Sequence, residues 1–237
     1  MAPGKIALRG HPIEDLIGNV SFPQMIWMMT RGSMPSADEA KLLEAALVAS
    51  VDHGPQAPSI AIARMTASCG VGLNNAMASG INALGDVHGG AGQQCVEMLH
   101  DLRQAAHNDG VTDPQAVAWY LDHRPGQSSK YLPGFGHRFH PIDPRAPRLM
   151  ALVDHAINAG TVDGHFKSLA LALEAELAKR KGKPIPMNID GATAVIYAEL
   201  GFAPALARGI FCLSRAVGIL AHAWEESEAG TRNKGPL

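Results

Sequence analysis

Residues 36–50 read Ser-Ala-Asp-Glu-Ala-Lys-Leu-Leu-Glu-Ala-Ala-Leu-Val-Ala-Ser, and this stretch sets the fold class. Ser36 and Glu39 make a capping box, in which each side chain takes the other residue's backbone N–H at the start of a helix. Leu42, Leu43, Ala46 and Leu47 then recur at helical spacing and mark one apolar face. Ser21-Phe22-Pro23-Gln24 repeats the device ahead of Met25-Ile26-Trp27-Met28-Met29, with Pro in the first turn, where a missing N–H costs nothing. Thr112-Asp113-Pro114-Gln115 opens another helix through Tyr120. The stretch from Gly164 to Arg180 carries apolar residues at 166, 169, 173 and 177, and Lys179-Arg180-Lys181-Gly182 closes it with basic charge and glycine. Short segments near Lys5–Arg9 and Pro186–Ile189 are the only strand-like runs. The chain reads as all-α.

With 237 residues, 46% hydrophobic and 18% charged, the chain can bury a core in one large domain or two unequal ones. A net charge of -2 gives no electrostatic handle for nucleic acid or an acidic membrane surface. Cys69, Cys95 and Cys212 are odd in number and widely spaced among apolar or small residues. They read as free thiols in a reducing, cytoplasmic setting rather than as a disulfide framework or a zinc site. No cationic stretch followed by an apolar run opens the sequence, so no secretory signal is expected. The most apolar segment, Gly201 to Trp224, is interrupted by Arg208, Arg215 and His222, which argues against a membrane span.

Three turns carry the candidate chemistry: Gly85-Asp86-Val87-His88-Gly89-Gly90, Pro133-Gly134-Phe135-Gly136-His137-Arg138, and Asn188-Ile189-Asp190-Gly191. Each sets one titratable side chain among small or turn-forming residues, where backbone can approach a ligand closely. A carboxylate and two imidazoles suffice for carbanion chemistry beside a carbonyl. The carboxylate takes a proton from carbon, one imidazole hydrogen-bonds the enolate oxygen, and the other polarises an electrophilic carbonyl. Singly, each histidine also reads as a loop or cap residue, and Asp190 as the N-cap of the helix that follows. Residues 124–148, rich in Pro and Gly with Arg124, Arg138, Arg145, Arg148, His137 and His140, read as a ligand loop. His11, His100, His107, His123, His155, His165 and His222 show no ligand spacing with Cys or carboxylates. They read as surface or core residues, and no metal is expected. Met25, Met28 and Met29 read as core filler.

The motifs resemble those of the citrate synthase superfamily, in that family's order along nearly the whole chain. They are Leu8-Arg9-Gly10-His11-Pro12-Ile13-Glu14-Asp15-Leu16, His88-Gly89-Gly90, Gly134-Phe135-Gly136-His137-Arg138 with Asp143-Pro144-Arg145, Asn188-Ile189-Asp190, and Phe211 to His222. The chain is shorter than full citrate synthases, mainly at the N-terminal helical region. Val51-Asp52-His53-Gly54-Pro55 and Asn188-Ile189-Asp190-Gly191 are similar to the citryl-CoA lyase module of ATP-citrate lyase. His88 instead follows the synthase pattern.

The resemblance implies the all-α citrate synthase fold. Its large helical domain would comprise residues 1–90 and 196–237, with a small helical domain, 91–195, inserted between and the active site in the cleft. It implies hinged closure and a homodimer or higher homo-oligomer, with helices near 40–50 and 71–85 at the interface and the small residues of Asn74–Gly80 suiting close approach. Asp190 would be the base on the acetyl-CoA methyl, His88 the donor to the thioester enolate, and His137 the group on the keto oxygen of oxaloacetate. Arg145 and Arg215 would bind substrate carboxylates, with His53 and Phe211 beside them; an ion pair in a buried helix is the alternative for Arg215. Arg232 would reach a neighbouring subunit's site, although the tail lacks the usual Arg-Pro. For coenzyme A, the thioester substrate, Leu132, Gly134, Phe135 and Gly136 would receive the adenine and Asn188 the pantetheine arm. Arg138 or His140 would meet phosphates; the segment there is one residue shorter than the common synthase pattern. The basic run 179–183 reads as a helix end. Small-molecule partners follow: an acyl-CoA with oxaloacetate, or citryl-CoA. Three functions are compatible: citryl-CoA lyase, citrate synthase, and a non-catalytic CoA- or citrate-binding paralogue.

Overall fold

The computed structural model describes residues 3–124, 131–137 and 140–233, with 108 and 109 as backbone only. A two-stranded antiparallel hairpin, β1 (Ala7–Leu8) and β2 (His11–Pro12), precedes eleven helices among the described residues. These are α1 (Ile13–Leu16), α2 (Phe22–Arg31), α3 (Ala37–Ser50), α4 (Pro58–Ser68), α5 (Leu73–Asn82) and α6 (Ala91–Asp109). They continue with α7 (Asp113–His123), α8 (Arg145–Asn158), α9 (His165–Lys181), α10 (Ile189–Glu199) and α11 (Pro204–Ala229). The architecture is all-α, as the sequence indicates.

Local signals act where they were read. Both reciprocal bonds of the capping box form at Ser21/Gln24 and at Ser36/Glu39. The Thr112 amide donates to the Gln115 side chain at 3.0 Å as α7 begins. Gly182, at φ 67°, ends α9 in the left-handed conformation, which glycine adopts without a Cβ penalty. The strand-like segment at 186–189 yields one antiparallel bridge, Phe135 to Met187. That bridge ties the 131–137 loop to the chain entering α10.

Two apolar clusters form the interior. The larger gathers α2, α3 and α6 to α10 with the start of α11, and includes Trp27, Leu43, Leu99, Phe166, Ile196 and Phe202. The smaller joins α4, α5 and the later part of α11 through Ile60, Ala63, Ala76 and Ile219. Helix α11 serves both clusters, so its middle, Phe211 to Gly218, lies at the seam between them. The small residues of α5 are used within the chain: a Cβ on Gly80 would stand 2.9 Å from the Ser59 carbonyl and 2.9 Å from Ile219. Of the expected domain limits, 90/91 falls where α6 begins and 195/196 falls within α10.

Helix α10 is buried at Ile189 and from Gly191 through Ala198. Its first turn meets the 131–137 loop at van der Waals distance. A Cβ on Gly191 would lie 2.3 Å from the Gly134 carbonyl oxygen, and one on Gly134 would lie 2.7 Å from Cys95 Sγ. Two glycines therefore let backbone touch backbone where His137 and Asp190 approach each other. Gly191→Ala should cost about 1–3 kcal/mol, the usual range for overpacking, read as a lowered urea midpoint. An unchanged midpoint would show that the loop contact does not matter to the fold.

Candidate active site

The C-terminal end of α3 organises the cationic half of the site. A helix leaves its last carbonyls without intrahelical partners and carries partial negative charge there. In this protein those oxygens are taken by α8 and α11. Ser214 Oγ donates to the Leu47 carbonyl (2.5 Å), Arg145 Nη1 to Ala49 (3.5 Å) and Arg215 Nε to Ser50 (3.1 Å). Both arginines expected to bind carboxylates are thus brought to one helix end.

Arg215 is 5% exposed, and its guanidinium lies 4.8 Å from the Phe211 ring centroid. Among the described residues no carboxylate stands within ion-pair distance of it, so the ion-pair alternative raised by the sequence is not realised. Burial pulls its pKa below the ordinary arginine value, against the attraction of Asp190 and Asp52. A buried cation without an anionic partner is costly, and a ligand carboxylate is the chemistry that relieves it. Arg145 is held differently: its Nε and Nη2 donate to the two oxygens of Asp143 at 2.9 and 2.8 Å. Asp143 is 1% exposed and also accepts the Ile189 amide of α10 at 3.1 Å. Desolvation works against its charge, but the Arg145 hydrogen bonds hold its carboxyl below the ordinary value. The sequence displayed Asp143 in its Asp-Pro-Arg motif without disclosing this role; only the fold shows that it ties Arg145 to the start of α10.

His88 reaches the N-terminus of α4. Its Nε2 accepts the Ser59 backbone N–H at 3.1 Å and lies 3.0 Å from Ser59 Oγ. An amide can donate only to a bare nitrogen, so the ring is neutral with its proton on Nδ1. Desolvation first, then the nearby positive charge of Arg215, lowers its pKa below the ordinary histidine value. Nδ1–H is the donor this arrangement presents. Gly89, at φ 93°, lets the turn rest on Phe211: a Cβ there would be 3.1 Å from that ring. Ser59 went unrecognised in the sequence, where the only signal was Pro58-Ser59 opening a helix.

Asp190 sits in the first turn of α10. Asn188 Oδ1 accepts the Asp190 and Gly191 amides at 2.9 and 3.2 Å, and Asn188 Nδ2 donates to the Gly136 carbonyl at 2.7 Å. The N-cap is therefore Asn188, which leaves the Asp190 carboxyl out of the capping role that the sequence allowed it. Desolvation pushes that carboxyl above the ordinary value, opposed by Arg215 and Arg145. His137 Nδ1 accepts the His140 amide at 3.1 Å, and the two rings are 4.7 Å apart. The neutral His137 ring then carries its proton on Nε2. His53 is exposed, yet partial desolvation followed by Arg215 and Arg145 lowers its pKa.

His53, His88, His137, Asp190, Arg145 and Arg215 all act electrostatically on one another's neighbours in this cluster. The structure thus brings six of the expected residues together with Phe211. Arg232 stands apart: it is exposed, and the next residue's amide bonds the Ser68 carbonyl at the far end of α4. Nine residues of helix separate Ser68 from Ser59, roughly 14 Å at 1.5 Å per residue. Arg138 lies outside the described residues.

Beside the cluster opens a cavity of about 860 Å³. Leu132, Phe135, Gly136 and His137 line it on the loop side, and Arg180, Lys181 and Lys183 stand across from them. Gly134 is buried against Cys95 and Gly191 instead. The basic run 179–183 both ends α9 and borders this cavity; Arg180 is paired with Asp122 and Glu176 at 2.6 and 2.7 Å.

Residues 26–234 match the family described as citrate synthase, C-terminal domain, and the chain belongs to the citrate synthase family. A citrate synthase from Acidithiobacillus ferridurans is 30% identical over 225 residues, covering 93% of this chain and 54% of that one. The chain spans about half the length of the curated relatives it matches. Among solved structures, the citryl-CoA lyase of Hydrogenobacter thermophilus superposes with a TM-score of 0.85 at 33% identity, over 100% of this chain and 88% of that one. The ATP citrate lyase of Methanothrix soehngenii, solved with citrate and coenzyme A, shares the fold at a TM-score of 0.78 and 21% identity, over 96% of this chain and 38% of that one.

The raised carboxyl of Asp190 has a measurable consequence. A folded-state pKa above the unfolded value means that the native protein binds this proton more tightly. Its stabilising contribution is complete below the unfolded value and is lost as pH rises through the folded one. Asp190→Asn removes the desolvated charge, so its melting temperature should exceed that of wild type near pH 8, and the gap should close toward pH 4. A variant less stable than wild type at pH 8 would contradict the sign of the shift.

Proposed function

We propose that this member of the citrate synthase enzyme superfamily is a citryl-CoA lyase, cleaving citryl-CoA to acetyl-CoA and oxaloacetate through an enol intermediate. The observation that carries the direction is the superposition on a citryl-CoA lyase over 88% of that protein's length, whereas the citrate synthase above is covered over 54%. In the reaction, His137 takes the proton of the citryl hydroxyl. The carbon–carbon bond then breaks toward the thioester, leaving the keto group of oxaloacetate. The electron pair becomes an enolate on the acetyl-CoA fragment, whose oxygen the Nδ1–H of neutral His88 meets. Asp190, in its acid form, protonates the methylene carbon and completes acetyl-CoA. Desolvation raises its pKa, which favours that acid form.

Arg145 and Arg215 hold the carboxylates of the oxaloacetate portion, with His53 and Phe211 beside them. The cavity bounded by Leu132, Phe135 and Gly136 receives the nucleotide end of coenzyme A, and its size falls in the usual range of small-molecule sites. Lys181 and Lys183 on its far side supply charge suited to phosphates. Asn188 is committed to the helix cap and to Gly136, so its part toward the pantetheine arm is to shape the turn. Closure of the 91–195 unit on the rest of the chain would exclude water from the thioester. A homodimer is also proposed. Arg232 is exposed beside the end of α4 distant from Ser59, so on this proposal the carboxylate it binds would belong to a second copy.

The second reading is citrate synthase, the condensation followed by thioester hydrolysis. One observation favours it: with Nδ1 accepting the His140 amide, His137 presents Nε2–H, the form that polarises a keto group. Cleavage needs a bare Nε2, so on that path the proton must sit on Nδ1 and the bond to the His140 amide must open.

Purified protein given citryl-CoA should release acetyl-CoA and oxaloacetate, resolved by chromatography. Citrate with free CoA would establish the synthase reading, and intact citryl-CoA would exclude both. Asp190→Asn and His137→Ala should each lower turnover about 10²–10⁴-fold, the range for a lost acid–base group, with the far-ultraviolet circular dichroism unchanged.

A further inference from the structure

Asp52 and His222 take no part in the chemistry above, yet they meet directly behind it. His222 Nε2 stands 3.3 Å from Asp52 Oδ2, linking the residue before His53 to α11 two turns beyond Arg215. Two neighbouring contacts run along the same line. Arg215 Nε donates to the Ser50 carbonyl at 3.1 Å, and the Gly218 amide donates to the Val51 carbonyl at 3.2 Å. Residues 50, 51 and 52 are therefore gripped in turn by 215, 218 and 222, which share one helix face at spacings of three and four. The approach leaves no space for a side chain at 218: a Cβ on Gly218 would lie 2.2 Å from the Val51 oxygen and 3.0 Å from Asp52 Oδ1.

The pair is a poor source of stability. Asp52 Oδ1 and His222 Nδ1 are buried without hydrogen-bond partners. Glu225, on the other side of the ring, is 3.7 Å from His222 Nδ1 and is itself held by Arg64 at 2.7 Å. The Asp52 side chain is 40% exposed, and a partly exposed pair of this kind adds little to stability. What the contact does provide is register: it fixes the turn on which His53 stands against the helix that carries Arg215. Desolvation works against the Asp52 charge, but the His222 hydrogen bond and then the His53 amide hold its carboxyl below the ordinary value.

We propose that Asp52 and His222 form a positioning pair that sets His53 relative to Arg215 and thereby governs how tightly the site holds a keto-dicarboxylate. This rests on the proposed function, since it takes His53 and Arg215 to bind the oxaloacetate portion. Oxaloacetate and, separately, acetyl-CoA are titrated calorimetrically into wild type, His222→Ala, His222→Gln, Asp52→Asn, His53→Ala and the double variant His53→Ala/His222→Ala. Loss of the pair should weaken oxaloacetate about tenfold, within the range of coupling between contacting residues, while acetyl-CoA affinity stays within about twofold of wild type.

His222→Gln keeps an amide donor near the position of Nε2 and should recover most of the loss. The double variant should bind oxaloacetate no worse than His53→Ala, because the pair acts through that residue. The isosteric Asp52→Asn should weaken oxaloacetate in the same selective way, and it carries the test if His222→Ala does not fold. Additive losses in the double variant, equal losses for both ligands, or no loss at all would overturn the proposal. Wild-type protein that binds neither ligand would instead overturn the function on which it rests.

Discussion

The last carbonyls of α3 are the constraint on which the site is built. A helix end that is not capped by its own chain must find donors elsewhere, and buried ones must find them in the protein. Here Ser214, Arg145 and Arg215 supply the donors at Leu47, Ala49 and Ser50. The negative end of the helix dipole thus attracts two cations from segments seventy residues apart in sequence. Because Arg145 begins α8 and Arg215 lies in α11, satisfying α3 also fixes those helices. Asp143 extends the chain of consequences by binding Arg145 through both carboxylate oxygens while Oδ2 also accepts the amide of Ile189. The position of Asp190 then follows from the same network.

Burial and the concentrated positive charge act together on the histidines around it and in opposition on Asp190. Arg215 lowers the pKa of His53 and His88, although desolvation acts first on both. The Ser59 amide reinforces neutrality at His88 by occupying Nε2, an example of a helix N-terminus disfavouring a second positive charge. Asp190 experiences the opposite balance: its desolvation outweighs the two arginines, and its carboxyl moves up. A neutral donor and a readily protonated carboxyl are what enol chemistry requires. Both arise from burial beside fixed cations, without any unusual residue.

The helices were legible because their signals are local. Ser21/Gln24 and Ser36/Glu39 form the boxes their spacing announces, and Gly182 stops α9. The turns bearing His88, His137 and Asp190 stood out as candidate sites because glycines surround them, and Gly134 and Gly191 do meet backbone to backbone. Residues whose roles depend on partners far along the chain were not legible. Ser59 acts on a histidine 29 positions away, and Asp52 on one 170 positions away. Ser59 had no motif of its own, Asp52 appeared only within a longer motif that gave it no role, and His222 read as a surface or core residue. Among the small residues of α5, Gly80 and Ala76 pack inside the chain against α4 and α11, a use the sequence did not name beside the expected interface with another copy. Small side chains signal close approach without specifying the neighbour.

In the proposed reaction the same three groups would serve both making and breaking the carbon–carbon bond, so their electrostatics cannot by themselves choose between lyase and synthase. His88 is neutral and donates from Nδ1 in either direction. Asp190 must be acid in one direction and base in the other, and a pKa drawn upward serves both. His137 is the member whose state differs, because it must present a proton to a ketone or a bare nitrogen to a hydroxyl. The His140 amide decides which, by occupying or releasing Nδ1. In the proposed reaction the starting tautomer of His137 is therefore coupled to the backbone at 137 and 140, and both residues line the cavity proposed for coenzyme A. If the cavity takes coenzyme A as proposed, its binding there would bias the tautomer only by favouring one arrangement of the turn over the other. Hydrolysis is a separate matter, governed by whether water reaches the thioester once the cleft has closed. On this reading a lyase and a synthase can share these three groups, and what separates them is whether water reaches the thioester.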